Sequence, residues 1–434
     1  MAPVPSEPSG GRDSGGWALR YGLVGPRALY LHLPFCVSKC AYCDFPSWAT
    51  RRGDPLMAGY ARALARQVEA LSRKGLLAAC ETAYLGGGTP SLLGPDALPP
   101  LVEKVASCSG LMGELTFEAN PESLAEGLAA GAREAGATRV SLGVQSLDDG
   151  ELACLGRAHD AREARRAVGL ALSSGLSTSL DLMCAIPRQT DESWGRTLSA
   201  AVDLGVGHVS VYPLQIEEGT ALERRLGDSD PAWNDPDVQA DRMSQAERAL
   251  TAAGLSRYEV ASYARPGRAC RHNLAYWQGL PYLGLGTGAA SMVTRGGYRA
   301  LRDLCPRLPG LARQTARVRL RVLAGRSEVA SGATMPDGGL SDLDFEVEEL
   351  TFRQALAEDL MLGARLAAGV DAGLLALSGQ AFGDALSACL EEVQERGLAL
   401  QATDGNLRPT ERGWLLGNEL YGALWGLASE DDRA

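Results

Sequence analysis

The chain has 434 residues, of which 45% are hydrophobic and 22% are charged, and its formal net charge is -11. This composition is ordinary for a soluble globular protein, and the length allows two domains or one large α/β barrel with an appended domain. The acidic balance argues against a general nucleic-acid-binding protein, and no apolar run is long enough to cross a bilayer. Residues 1–27 are rich in Gly, Ser and Pro, lack the apolar core of a signal peptide and are predicted to form a flexible tail.

From residue 28 to about 265, short apolar or β-branched runs alternate with longer amphipathic segments. The runs predict six strands, at 28–33, 82–85, 114–118, 139–142, 179–183 and 208–214. The amphipathic segments predict helices at 56–76, 96–107, 123–135, 161–173, 191–204 and 237–253. Such a βα repeat implies parallel strands joined by right-handed helical crossovers. We therefore predict an α/β fold with a partial (β/α)6 TIM-like barrel over 28–265, whose chemistry lies at the carboxyl ends of the strands.

Three cysteines, Cys36, Cys40 and Cys43, follow the first predicted strand. With ten cysteines in the chain, chance would produce this spacing in roughly half a per cent of such chains. The alternatives are buried core thiols or a zinc clip, but zinc usually takes four ligands and no second CxxC or HxxxH occurs. A 4Fe–4S cluster takes four thiolates, so three would leave one iron open as a coordination site. An oxygen-sensitive site of this kind, without an export signal, predicts a protein of the reducing cytoplasm.

Glycine and polar motifs follow the other predicted strands. They are Gly-Gly-Gly-Thr-Pro at 86–90, Glu-Ala-Asn-Pro at 118–121, Gly-Val-Gln-Ser at 143–146, and Asp181 within the fifth strand. The glycines would let backbone groups approach a small zwitterion, although a triple glycine can also be a simple turn. Glu118 suits an ammonium group and Arg157 suits a carboxylate, while Gln145 and Asp181 suit ribose hydroxyls. Each alone is more often a surface polar residue, but together they predict a pocket for a nucleoside that bears an amino acid.

After residue 265 the βα pattern stops. Residues 266–345 contain an aromatic- and glycine-rich stretch and then an Arg-, Gly- and Pro-rich stretch, and are predicted to form a connecting region. From 346 to 434, helical patterns return at 349–368 and 386–396, followed by strand-like runs at 398–402 and 406–409 and a helix from 411. This order predicts a small, mainly helical, winged-helix-like domain. The acidic balance favours a structural or partner-docking role for it over DNA binding.

The CxxxCxxC motif with an aromatic residue before its last cysteine, followed by Gly-Gly-Gly-Thr-Pro, resembles the radical S-adenosylmethionine superfamily. Phe-Glu-Ala-Asn-Pro at 117–121, Leu-Gly-Arg-Ala-His at 155–159 and the C-terminal domain narrow the resemblance to the branch that contains oxygen-independent coproporphyrinogen III oxidase and the heme chaperone HemW. The resemblance extends from about residue 28 to the end of the chain. It implies a radical SAM barrel with a 4Fe–4S cluster on the three cysteines and exchangeable S-adenosylmethionine. The positions that match the branch's cofactor contacts are Tyr30, Tyr42, Gly87, Gly88, Thr89, Glu118, Gln145, Arg157 and Asp181.

Three features favour a heme carrier over an oxidase within this branch. The similar oxidases have a further Cys two residues after the third, where this chain has Phe45, and they have a longer N-terminal extension than the tail before Ala28. The sequence His-Asn-Leu-Ala-Tyr-Trp at 272–277 resembles the HNxxYW signature of the heme chaperones. The resemblance therefore implies heme as a further cofactor. His272 is a candidate heme ligand because neutral imidazole commonly binds heme iron, and the alternative is that it caps a loop.

A heme carrier implies heme-accepting apoproteins as partners, with any membrane contact transient and made through those partners. The alternatives are an oxygen-independent coproporphyrinogen III oxidase, which would decarboxylate porphyrinogen propionates, and a radical enzyme acting on another substrate. One departure from the family pattern is Ala290, within Gly-Ala-Ala-Ser at 288–291, where relatives usually read Gly-Ala-His-Ser. If that imidazole contributes to heme capture, this chain would bind heme more weakly or through another ligand.

Overall fold

The computed structural model describes residues 19–110, 113–226 and 234–429. Within these ranges a sheet of twelve strands forms the centre of the fold. Six strands are parallel neighbours in chain order: β1 Ala28–Leu33, β2 Thr82–Gly87, β3 Glu114–Ala119, β4 Arg139–Gln145, β5 Ser177–Cys184 and β6 His208–Pro213. The predicted parallel strands and the partial (β/α)6 barrel are confirmed.

Helices join the barrel strands, as the βα repeat predicts. They span Pro55–Arg73, Leu98–Cys108, Leu128–Glu134, Asp149–Leu155, Ala161–Ser173, Asp191–Asp203, Ala221–Leu226 and Pro236–Ala252, with a 3-10 turn at Pro90–Leu93. The local sequence explains where they start. Asp54 accepts from the Leu56 amide beside Pro55, and Asp160 forms a capping box with Glu163.

One barrel helix is shorter than predicted. The pattern at 123–135 indicates a helix, but the helix begins at Leu128. The Ser123 hydroxyl donates to the Asn120 carbonyl, and the Asn120 amide donates back to that hydroxyl at 3.2 Å. Gly127, with φ +82, then precedes the helix. These contacts hold the residues after β3 in a turn, which keeps Asn120 at the carboxyl end of the strand.

The barrel strands alternate between apolar and polar side chains, as the period of two in a strand requires. The apolar positions, such as Phe117, are fully buried in the main hydrophobic core. The polar positions of neighbouring strands meet one another: the Tyr84 hydroxyl donates to Glu118 and the Ser141 hydroxyl donates to Asp181, both at 2.9 Å. The barrel interior is therefore lined by titratable and hydroxyl groups.

The sheet continues beyond the six barrel strands on both sides. After β6 come the short antiparallel strands β7 Ser256–Arg257 and β8 Ser262–Ala264. On the other side, β9 Tyr282–Leu285 pairs in parallel with β1, followed by antiparallel β10 Ala290–Thr294, β11 Thr315–Val322 and β12 Phe345–Thr351. Residues 266–345 thus add three strands to the sheet. They also form the helices Arg271–Trp277, Arg295–Arg302 and Arg326–Ser331 and 3-10 turns at Gly332–Thr334 and Leu340–Asp342.

The C-terminal part has its own hydrophobic cluster. It consists of helices Phe352–Gly363, Ala372–Phe382 and Asp384–Glu395, a hairpin of β13 Ala399–Gln401 and β14 Leu407–Pro409, and helices Glu411–Leu415 and Gly417–Gly426. This confirms the mainly helical, winged-helix-like domain. The helix predicted at 349–368 begins at Phe352, because residues 349–351 pair with β11 and the Thr351 side chain caps the helix. The sequence pattern did not indicate Ala372–Phe382. Among the described helices, none is long and apolar enough to cross a membrane.

The predicted tail is only partly described, since residues 1–18 lie outside the described ranges. Within 19–27, the Tyr21 hydroxyl donates to Asp359 and the Tyr21 ring packs edge-on against Phe352 at 5.0 Å. These residues therefore contact the C-terminal part of the chain. The domain boundaries at 27, 265 and 345 stay predictions.

Candidate functional site

The three cysteines lie in residues 34–50 after β1, called the cluster loop below. The two-residue strands Phe35–Cys36 and Trp48–Ala49 pair in parallel and close this loop. Cys36, Cys40 and Cys43 are free thiols, each partly exposed. Among the described residues, no group of three His, Cys, Asp or Glu is placed to hold one metal ion. A 4Fe–4S cluster does not require that, because each thiolate binds a different iron.

Two of the sulfur atoms have hydroxyl partners. Thr89 donates to Cys36 Sγ at 3.6 Å and accepts from Asn120 Nδ2 at 3.0 Å, while Cys43 Sγ lies 3.9 Å from the Ser47 hydroxyl. Burial raises the pKa of the Cys36 and Cys43 thiols, and hydrogen bonds to them offset this only in part. Both are therefore protonated near neutral pH in the absence of a metal, and binding iron must release their protons. Three thiols in one partly exposed loop fit a cluster site.

Arg157 connects the cluster loop to the ends of two barrel strands. Its Nη1 donates to Cys40 Sγ at 3.1 Å, and its Nη2 donates to Asn120 Oδ1 and to the Gly143 carbonyl, both at 2.7 Å. Burial acts to lower the pKa of Arg157, but Cys40 and neighbouring acidic groups outweigh it, so the pKa is raised. Arg157, which is predicted to bind the carboxylate of a ligand, therefore already donates hydrogen bonds to three protein acceptors. Its Nε is buried and has no protein partner.

Glu118 and Asp181 line the barrel interior. Glu118 accepts from the Tyr84 hydroxyl at 2.9 Å and from the Gly87 amide at 3.0 Å. Both side chains are half-buried in the barrel interior. Burial and repulsion from Asp181 raise the pKa of Glu118 to about 7, and burial raises the pKa of Asp181 to about 6. A cationic ligand group would favour their ionised forms.

Tyr30 and Tyr42 lie in different parts of the site, Tyr30 near Glu118 and Tyr42 near Arg157. The Tyr30 hydroxyl is 2.9 Å from His32 Nδ1, and His32 Nε2 is 2.9 Å from the Pro46 carbonyl. Because a carbonyl only accepts, His32 carries its proton on Nε2 and accepts from Tyr30. Burial raises the pKa of Tyr42 despite the opposing charge of Arg157. Tyr30 therefore helps to hold the cluster loop through His32.

Gln145 stands at an irregular strand end. Its φ is +66, in the left-handed region that non-glycine residues rarely adopt. The pairing of β4 with β5 shifts register between Gly143 and Gln145. A Cβ at Gly143 would lie 2.8 Å from Asn120 Oδ1, so glycine allows the close approach seen there. Such bulges re-aim side chains at functional sites.

The glycine turn at 86–88 is required by the protein's own packing. A Cβ at Gly86 would lie 2.8 Å from the Tyr84 ring, and one at Gly88 would lie 2.7 Å from the Leu33 carbonyl. The space that the missing side chains leave is thus taken by neighbouring strands. This differs from the expectation that the glycines make room for a ligand.

Gly87→Ala should lower the free energy of unfolding by about 2–5 kcal/mol, since left-handed backbone costs about 1–2 kcal/mol and overpacking about 1–3 kcal/mol. Gly87 has φ +104, and its Cβ would lie 2.2 Å from the His32 ring. Gly94→Ala is the matched control, because Gly94 has φ +72 with nothing within 4 Å of the added Cβ. Urea unfolding of both variants measures the difference. Equal losses of stability in the two variants would show that contact between the added Cβ and the His32 ring contributes nothing.

His272 lies at the amino-terminal end of the barrel interior. Its Nδ1 is 3.0 Å from the Thr82 hydroxyl and its Nε2 is 2.9 Å from the Tyr276 hydroxyl. The ring is 1% exposed and stacks on Tyr84 at 5.2 Å. Burial lowers its pKa to about 3, so the imidazole is neutral. To bind heme iron, His272 would have to leave one of these hydroxyl partners, and its role as a ligand stays a prediction.

Comparisons with known proteins agree with this fold. Residues 30–201 match the radical SAM superfamily, and residues 350–416 match the HemN C-terminal domain. The heme chaperone HemW of Mycobacterium tuberculosis is 35% identical over 374 residues, which is 85% of each chain. This chain belongs to the HemW family. The HemW of Escherichia coli is 39% identical over 287 residues, 65% of this chain and 75% of that protein.

A solved structure shows the same architecture as this member of the HemW family. Coproporphyrinogen III oxidase (HemN) from Escherichia coli, a radical SAM enzyme, superimposes with a TM-score of 0.71 at 19% identity and covers 94% of this chain and 93% of that chain. At this identity the similarity establishes the fold alone. This chain and the oxidase therefore share one fold.

Several polar residues that contact the predicted site residues belong to none of the sequence motifs. Tyr84 donates to Glu118, Ser141 donates to Asp181, and His32 connects Tyr30 to the cluster loop. A signal for the first two is present: they occupy alternate positions in strands whose other positions are apolar. In a parallel strand buried on both faces, such a polar position marks the barrel interior.

Proposed function

We propose that this protein binds heme and transfers it to acceptor proteins, and that it carries a 4Fe–4S cluster and exchangeable S-adenosylmethionine at the barrel mouth. The observation that carries the proposal is the 35% identity to a heme chaperone HemW over 85% of both chains. The three partly exposed thiols in one loop support the cluster.

Cys36, Cys40 and Cys43 would bind the cluster as thiolates. When bound, the cluster supplies an electron and one iron without a protein ligand. Arg157 keeps its charge 3.1 Å from Cys40 Sγ and would offset the negative charge of that thiolate. Because Asn120 and the Gly143 carbonyl hold the same guanidinium, Arg157 also ties the loop to the barrel rim.

The barrel mouth would bind S-adenosylmethionine through its charged and hydroxyl groups. Glu118 would accept from the ammonium group, which favours the ionised carboxylate and lowers its pKa from about 7. Asp181 and Gln145 would bind ribose hydroxyls. The other proposed contacts are the backbone at Gly87 and Gly88 and the side chains of Tyr30, Tyr42, Thr89 and Arg157.

Heme-accepting apoproteins are the proposed partners, and the reducing cytoplasm is the proposed location. Any membrane contact would be transient and made through those acceptors. An acidic chain with a net charge of -11 offers no basis for a nucleic-acid partner. With His272 as the heme ligand, heme binding would require the Thr82 or Tyr276 hydrogen bond to break.

The test is a pair of measurements on anaerobically reconstituted protein. We expect tight binding in a titration with heme, and no decarboxylation when coproporphyrinogen III is supplied with S-adenosylmethionine and a reductant. Sustained formation of protoporphyrinogen would identify an oxidase instead. Cleavage of S-adenosylmethionine stimulated by a different compound, and not by heme, would identify a radical enzyme with another substrate.

A further inference from the structure

Large apolar side chains are exposed around the cluster loop. Within the loop, Val37, Phe45 and Trp48 are 37%, 62% and 39% exposed. Leu323, which follows β11, is 54% exposed. Exposed clusters of large apolar groups usually mark binding surfaces. Phe45, Trp48 and Leu323 are called the loop patch below.

Contacts between chain segments bring the parts of the loop patch together. The guanidinium carbon of Arg326 lies 4.7 Å from the centroid of the Trp48 ring, and Arg326 follows Leu323 by three residues. A Cβ at Gly288 would lie 3.4 Å from Pro46, and the Gly288 amide donates to the carbonyl of Val322. The loop that carries Phe45 and the end of β11 therefore adjoin one another beside the cysteines.

Positive charges border the loop patch. Lys39 donates to the Phe45 carbonyl at 3.2 Å, and Arg326 contacts Trp48 and the Thr50 hydroxyl. The Phe45 carbonyl, the Trp48 ring and the Thr50 hydroxyl carry no charge. Lys39 and Arg326 can therefore pair with an anionic ligand. Acidic neighbours are the exposed Asp44, Glu328 two residues after Arg326, and Asp344, whose carbonyl accepts from the Leu323 amide. In a chain of net charge -11, an apolar surface with cations at its edge suits a flat apolar ligand that carries carboxylates.

None of the four histidines is exposed, so no imidazole is available to heme iron at the surface. The chain has four histidines, and His32, His159, His208 and His272 are between 1% and 4% exposed. A heme that approaches the folded protein therefore meets aromatic and aliphatic side chains before it meets an imidazole.

We propose that the loop patch is the docking surface for heme, which lies against Phe45, Trp48 and Leu323 with its propionates toward Lys39 and Arg326. This inference rests on the proposed heme-binding function and adds where heme is held. Docking here places heme beside the cluster loop and leaves His272 in its buried hydrogen bonds, so this surface is an alternative to iron ligation by His272. Aromatic rings supply the flat contact, and the two cations supply the charge complementarity.

A histidine probe tests the location. Leu323→His places an imidazole in the loop patch, and Leu172→His places one on the helix Ala161–Ser173, at a side chain that is also exposed, at 39%. Ferric heme is added to each reconstituted variant, and its electron paramagnetic resonance spectrum is compared with that of the unsubstituted protein. We expect a nitrogen-ligand signature with Leu323→His alone. Unchanged heme spectra in both variants would overturn the proposal.

Affinity supplies the second measurement. The double change Phe45→Ser and Trp48→Ser should weaken heme binding about tenfold or more, because the flat contact is lost. Iron content and S-adenosylmethionine binding report whether the loop is intact. If the unsubstituted protein binds no heme, the proposed function itself fails. If the unsubstituted protein binds heme and the double variant binds it equally well, only the proposed docking surface is wrong. Slower transfer of heme by that variant would then indicate that the loop patch binds the acceptor protein.

Discussion

Replacing Cys36, Cys40 and Cys43 together by serine should remove essentially all cluster iron and sulfide from anaerobically reconstituted protein. Serine keeps the size of the side chain but not the thiolate that binds iron. Binding of S-adenosylmethionine should weaken as well, since the open iron is lost. Iron and sulfide analysis and the visible absorption spectrum measure the first effect, and equilibrium binding measures the second.

Cys108→Ser is the matched control, because Cys108 is also a partly exposed free thiol but ends the helix Leu98–Cys108. It should retain the full iron content. If the triple variant kept the same iron and absorption as this control, the cluster would not be bound by the three cysteines. Full loss of iron in both variants would indicate general unfolding, which circular dichroism would detect.

Glu118→Gln should have opposite effects on ligand binding and on stability. Hydrogen bonds to charged groups contribute about 1.5–3 kcal/mol, so loss of the carboxylate should weaken S-adenosylmethionine binding by about tenfold or more at pH 8. In the absence of ligand, the same change should raise the free energy of unfolding at pH 8 by roughly 1–2 kcal/mol, because a buried charge is removed. Calorimetric titration and urea unfolding measure the two effects.

The pH dependence follows from the direction of the pKa shifts. Burial raises the pKa of Glu118 to about 7 and that of Asp181 to about 6, so the folded state binds these protons more tightly than the unfolded state. Their destabilising contribution is absent below the ordinary carboxyl pKa values and complete above about pH 7. These two groups should therefore make stability fall as the pH rises between about pH 4 and pH 7. Glu118→Gln should flatten the upper part of that fall.

Glu126→Gln provides the control, since Glu126 is exposed and its substitution should leave both measurements unchanged. A Glu118→Gln variant that lost stability at pH 8 as well as affinity would show that Glu118 acts mainly through its hydrogen bonds with Tyr84 and Gly87. Unchanged affinity would remove Glu118 from the proposed ligand site.

Local sequence pattern determined the repeating part of this protein. β1 spans 28–33 as predicted, and β2 starts at Thr82 as predicted, because alternating strand and helix periodicities are set by neighbouring residues. The three closely spaced cysteines could likewise be recognised without tertiary structure. Parallel topology then implied that Glu118 and Asp181 come to one end of the barrel, since carboxyl ends of parallel strands share an edge.

Tertiary structure alone decided what each group contacts. The pairing of β9 with β1 joins residues about 250 positions apart, so no local pattern in 266–345 reveals that it extends the sheet. His272 is buried because Thr82, Tyr84 and Tyr276 surround its ring, and Arg157 is occupied because three acceptors converge on it. Hydrogen bonds and burial between distant segments depend on how the whole chain packs, which is why the sequence suggested candidate site residues but not the groups that they contact.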